Sequence, residues 1–161
     1  MQLRDVVLRQ DEEIGETWYF RAPLAVLRQL PATENGVIGF SLRQSTNVDG
    51  GFLDDDVVII GEAGRLGYRF GRGSSPGTAW KRFSVRLSAS AGWTWNGSGP
   101  ATQAQLRSVL AAPLSLEIRG DMDTFFPDGF PNLKSLIIST EYMFNPNIFQ
   151  NRKLEYLDLT N

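Results

Sequence analysis

The chain has 161 residues, a formal net charge of −2, 42% hydrophobic and 21% charged residues, and neither cysteine nor histidine. That is an ordinary globular composition for one domain, able to bury a core without metal or disulfide. It excludes disulfide frameworks, thiolate zinc sites, cysteine nucleophiles and imidazole-based catalysis.

The weak charge gives no argument for nucleic acid. No apolar run approaches the ~20 residues that cross a bilayer, which argues against membrane insertion. The N-terminus, "MQLRDVVLRQDEEIGE", is too charged for a signal peptide.

In chain order, residues 3–8 ("LRDVVL") read as a first strand and "DEEIGE" as a turn. "TWYFRAP" is aromatic and ends at Pro23, where regular pairing must stop. "LAVLRQL" is one helical turn or a loop packing Leu24, Val26, Leu27 and Leu30. "VIGFSLRQ" alternates, with Ile38, Phe40 and Leu42 apolar against Gly39, Ser41 and Arg43, as in a half-buried antiparallel strand. "VVIIGEAG" and "RLGYRFGRG" form a hairpin around Gly61–Gly64. "WKRFSVRLSAS" places Trp80, Phe83, Val85 and Leu87 in one apolar set, and "GWTW" is a short strand.

"PATQAQLRSVLAA" is the one clear helix, spanning about 101–110. Thr102 stands at its start and Ala104, Leu106, Val109 and Leu110 form the apolar stripe. "LSLEIRG" turns Leu114, Leu116 and Ile118 inward. Short strands at near-regular spacing, separated by Gly/Pro turns, predict an all-β fold, a sandwich or barrel with one short helix as plug or crossover.

Taken in order, "TWYFRAP", "GFSLRQ", "DDDVVIIGEAGRLGY", "PGTAWKRFSVRL", "GW" followed by "ATQAQLRSVLA", and "LSLEIRG" resemble the laminin B (domain IV) family, most closely its bacterial secreted members. The resemblance runs from Gly15 to Gly120. It implies a jelly-roll-like antiparallel β-sandwich, of the kind also used by carbohydrate-binding modules. It further implies an extracellular or cell-surface, non-catalytic part of a larger protein. Two departures stand out: the family's opening strand with its Gly-Trp end is missing, and its closing Leu-Asp-Asn-Val strand is replaced by "PNLKSLII", which has no acidic residue.

The tail repeats an L-x-x-L-x-[LI] pattern in "LKSLII" and "LEYLDLTN", at a spacing inside the leucine-rich-repeat range. Two ordinary amphipathic strands explain it equally. The expected division is therefore a sandwich over residues 1–140 and an appendage over 141–161, either an added strand or the start of repeats.

Trp93 and Trp95, at i and i+2, share a strand face and form the candidate ligand-binding pair. Same-face indoles can stack sugar rings, and they can equally fill a core. Asp49, Asp54, Asp55 and Asp56, in a Gly-containing loop, are the candidate calcium ligands, since calcium takes six to eight oxygens. A solvated acidic loop is the plainer reading, here and for Asp121, Asp123 and Asp128. "GRGSSPG" resembles an anion cradle but leads into a strand, without a helix dipole. Asn96-Gly97-Ser98 is a glycosylation sequon in an exposed turn.

No catalytic residues and no cofactor other than possible calcium are expected. The expected partner is a carbohydrate or an extracellular protein, and the alternative is a spacer or protein-interaction module without a small-molecule ligand.

Overall fold

The computed structural model describes residues 8–9, 19–43, 54–71, 73–120 and 132–139, the first and last of these segments as backbone. In chain order the strands are β1 (Leu8–Arg9), β2 (Tyr19–Arg21), β3 (Val37–Arg43), β4 (Val57–Gly61), β5 (Gly64–Tyr68), β6 (Lys81–Arg86), β7 (Thr94–Trp95), β8 (Gly99–Pro100), β9 (Pro113–Arg119) and β10 (Asn132–Ser139). Among the described residues two α-helices accompany them, α1 (Leu24–Leu27) and α2 (Gln103–Ala111), with short 3-10 turns at Leu30–Ala32 and Ala89–Ala91.

The strands make two antiparallel sheets: a seven-stranded one in the order β1-β2-β9-β4-β5-β7-β8 and a three-stranded one in the order β10-β3-β6. The core lies between them, and the predicted all-β sandwich is what forms.

Period-2 alternation builds that core. Ile38, Phe40 and Leu42 of β3 are each at most 1% exposed. They stand in register with Val85, Phe83 and Lys81 of β6. Phe40 and Phe83 stack with ring centroids 5.4 Å apart. Phe70 then meets both rings edge-on, at 6.0 Å from Phe40 and 5.2 Å from Phe83. The large sheet answers with Phe20, Val57, Ile59, Leu66, Leu116 and Ile118, all buried.

Helix α2 closes the core at the β4–β5 turn. Its N-terminus is a full capping box: the Thr102 hydroxyl accepts from Gln105 N, and the Gln105 side chain accepts from Thr102 N. Leu106, Val109 and Leu110 are buried. At Gly61 a side chain would stand 2.7 Å from the Val109 carbonyl, so glycine is what lets helix and hairpin touch. Thr102→Ala is expected to lower stability by about 1 kcal/mol, the usual worth of an N-cap, measured by urea unfolding.

Four side chains fall elsewhere than expected. Leu114 is 60% exposed. Ile60 pairs with Ser115 and Gly61 with Pro113, so Leu114 is the extra residue of a bulge and leaves the inward series. Trp80 is exposed because it has the opposite parity to Phe83, Val85 and Leu87. Ala104 is exposed, since it lies on the helix face away from Leu106 and Leu110. Leu24 also stays exposed, while Val26, Leu27 and Leu30 are buried. Of the two readings of "LAVLRQL", the helical turn is the one that forms, as α1.

"LKSLII" lies in β10, antiparallel to β3 and part of the small sheet. The second repeat-like unit, Leu154 to Asn161, lies outside the described residues, as do Trp18 and most of the predicted first strand.

Candidate functional site

Trp93 and Trp95 do share a face, the inner one. Trp95 is paired with Leu66 in register, and both indoles belong to the sandwich side of the sheet. Trp93 is 0% exposed and rests against Tyr68 at 5.3 Å between rings. Its Nε1 donates to the Arg86 carbonyl at 2.7 Å, which satisfies the buried indole and ties the large sheet to β6 of the small one. Trp93 is thus a core side chain.

Trp95 is half-buried at the rim and lies over Gly64. Of the pair, it alone keeps surface that a ligand can reach. The following turn is open to solvent: Asn96 (φ 47°) and Gly97 (φ 74°) both take positive φ, as a mirror-image hairpin turn requires. The Asn96 side-chain oxygen accepts from Arg65 N at 2.8 Å, which pins the turn to β5.

The acidic loop becomes an ionic cluster at the strand ends. Asp49 lies outside the described residues and Asp54 is exposed. Asp55 and Asp56 are buried. Asp55 Oδ2 is 2.6 Å from Arg65 Nη1, and its Oδ1 is 3.6 Å from Arg69 Nη2. Asp56 Oδ1 is 2.6 Å from Arg119 Nη2, and its Oδ2 accepts from Phe70 N at 2.6 Å. The Tyr19 hydroxyl donates to the Asp55 carbonyl at 3.1 Å. The cluster thereby joins β2, β5 and β9 around the entry to β4.

Burial pushes the Asp56 carboxyl above the usual Asp range, against the opposing pull of the Arg119 guanidinium. Burial, aided by Asp54, raises the Tyr19 hydroxyl to about 12.

These carboxylates face arginines. A cation held by all four predicted aspartates would require Asp55 and Asp56 to exchange guanidinium partners for the ion. Among the described residues, no group of three or more acidic side chains is placed to hold a metal. Asp121, Asp123 and Asp128 lie outside the described residues. The "GRGSSPG" loop turns carbonyls to a cation: Lys81 Nζ donates to Gly73 O at 3.4 Å and to Ser75 O at 3.2 Å.

Sequence reasoning missed Tyr19, Arg65, Arg69 and Arg119. The available signal was the odd-numbered polar series Ser115, Glu117, Arg119 alternating with Leu116 and Ile118, which puts a cation on the outer face of β9. Gly67 belongs to this site too. The Asp55 carboxylate lies where a Gly67 side chain would be. Gly67→Ala is therefore expected to push Asp55 off Arg65 and cost about 1–3 kcal/mol, read from the shift in denaturation midpoint at unchanged slope.

No family model matches this chain, and no curated protein matches it. Among solved structures it is similar to the L4b domain of human laminin alpha-2, with a TM-score of 0.58 at 14% identity, covering 73% of this chain and 68% of that one. At that identity the likeness speaks for the fold alone: the chain is an antiparallel β-sandwich similar in architecture to that laminin domain.

Proposed function

We propose that the chain is a non-catalytic module of the extracellular-matrix type, which recognises a carbohydrate or a matrix or surface protein. The observation that carries this reading is the likeness to a laminin domain across most of the chain. The ionic cluster supports it, since the buried carboxylates Asp55 and Asp56 are engaged by arginines in a tie between strands.

Trp95 is the contact residue of this reading, because its indole keeps surface beside the exposed Asn96 turn. The test is a glycan array together with a panel of matrix proteins, probed with the whole chain and with Trp95→Ala. The expected result is a hit that Trp95→Ala weakens at unchanged folding. A chain that binds nothing on either panel is a spacer, and the recognition reading falls.

A further inference from the structure

The two sheets differ in the sign of what they carry. In the seven-stranded sheet and its entry loop, Asp55, Asp56 and Glu117 pair with Arg65, Arg119 and Arg21. The three-stranded sheet holds only cations: Arg43 in β3, Lys81, Arg82 and Arg86 in β6, and Lys134 in β10, with no Asp or Glu in any of these strands. This happens in a chain whose net charge is −2.

Register says which of these cations face outward. Ile38, Phe40 and Leu42 of β3 and Phe83 and Val85 of β6 fill the core, so the alternate positions Ser41, Arg43, Arg82, Ser84 and Arg86 belong to the opposite face. Lys81 shares the parity of Phe83, sits over its ring at 5.5 Å, and is taken up by the Gly73 and Ser75 carbonyls.

Arg82 stands opposite Ser41, which makes Arg43 its diagonal neighbour, about 7–8 Å away. Both are exposed. The Arg43 guanidinium lies over the exposed Trp80 ring, 4.9 Å from its centroid. Arg86 continues the row, four residues along β6, about 13 Å from Arg82. Trp80, Arg82 and Arg86 also interact within the chain, so binding would draw on their charge and surface and not on vacant valences.

We infer that the outer face of the three-stranded sheet binds an acidic polysaccharide, across Arg43, Arg82 and Arg86 with Trp80 at one end. This rests on the carbohydrate branch of the proposed function and names the class of sugar. The chemistry is complementary. Guanidinium forks pair with carboxylate or sulfate oxygens, an exposed indole edge meets a sugar ring, and serines on the face leave room for a chain to lie flat. An extended polyanion meets the whole row from Arg43 to Arg86, whereas a compact anion would reach only part of it.

The test is calorimetric titration of the full chain at low salt with size-defined dextran sulfate and polygalacturonate, and with neutral dextran and duplex DNA of matched charge. The first two probes separate sulfate from carboxylate recognition.

Binding to at least one acidic polymer is expected. It should weaken with added salt and drop about ten-fold or more in the double variant Arg43→Gln/Arg82→Gln. Arg28→Gln, an exposed arginine at the end of α1, should leave it unchanged.

Three results would overturn the inference: no binding to either acidic polymer, an equal loss in Arg28→Gln, or duplex DNA bound as tightly as the polysaccharides. A neutral glycan captured on the array without acidic-polymer binding would sink this inference alone. The circular dichroism spectrum and melting temperature of the double variant should match the parent, since both side chains are on the surface.

Discussion

Phe40→Ala should remove about 3–5 kcal/mol of stability, the range for truncating a fully buried aromatic. Phe40 is 1% exposed and lies in the central strand of the small sheet. Its ring stacks on Phe83 and takes the edge of Phe70, so one truncation removes two ring contacts together with the transfer energy. The cavity would lie between the two sheets, where backbone pairing on both sides opposes collapse. Equilibrium unfolding in urea reads the loss directly. A loss under 1 kcal/mol would mean that β3 presents its other face to the core.

Arg119→Met is expected to cost a comparable amount, about 3–5 kcal/mol at neutral pH, because it strands a buried carboxylate. Asp56 and Arg119 are both buried, and their pair at 2.6 Å joins the start of β4 to the end of β9. The loss should depend on pH with a definite sign. Burial already holds the Asp56 carboxyl above its ordinary range, and removing Arg119 takes away the main opposing pull. A carboxyl raised in the folded state favours folding while it is protonated, and that advantage disappears as pH rises through its folded value. The variant should therefore lie closer to the parent in acid than at neutrality. Asp56→Asn added to Arg119→Met should recover much of the neutral loss. A flat difference between parent and variant from pH 4 to 8 would show that the Arg119 effect is one of packing and not of charge.

Alternation was readable wherever a strand ran without interruption. Ile38, Phe40 and Leu42, and then Phe83 and Val85, are apolar at every second place, and burial follows that period. It failed at Leu114 because a bulge adds one residue, which no composition signal marks, and at Trp80 because a hydrophobic residue stands there on the outward parity of β6. The helix was legible from Thr102 and the Leu106, Val109, Leu110 stripe, since capping and helical period are both local properties.

The ionic cluster was not legible. Its members come from residues 19, 55–56, 65–70 and 119, and the pairing of β2 with β9, of β9 with β4 and of β4 with β5 brings them together. A run of aspartates in sequence suggests a solvated loop or a cation. The partner arginines decide the matter, and they are distant in the chain. The Trp pair was half legible: spacing placed both indoles on one face, but depth depends on the neighbour. Tyr68 covers Trp93, whereas Trp95 stands near the edge of the sheet.

The order of the strands also bears on how the chain reaches this state. Among the described strands, β1 with β2, β4 with β5 and β7 with β8 join neighbours along the chain, and every other pairing is between strands distant in sequence. The pairing of Arg21 with Glu117, and of Arg43 with Asn132, must wait until nearly all of the intervening polypeptide has been made. Such high contact order places folding on the millisecond-to-second scale typical of sandwiches, not the microseconds of helical bundles. During synthesis, β2 and β3 would leave the ribosome with apolar faces and open hydrogen-bonding edges, and the strands that complete them would follow much later. That interval is when intermolecular strand pairing competes with folding. Slow or chaperoned synthesis should raise the soluble yield more than any single stabilising substitution on the finished surface.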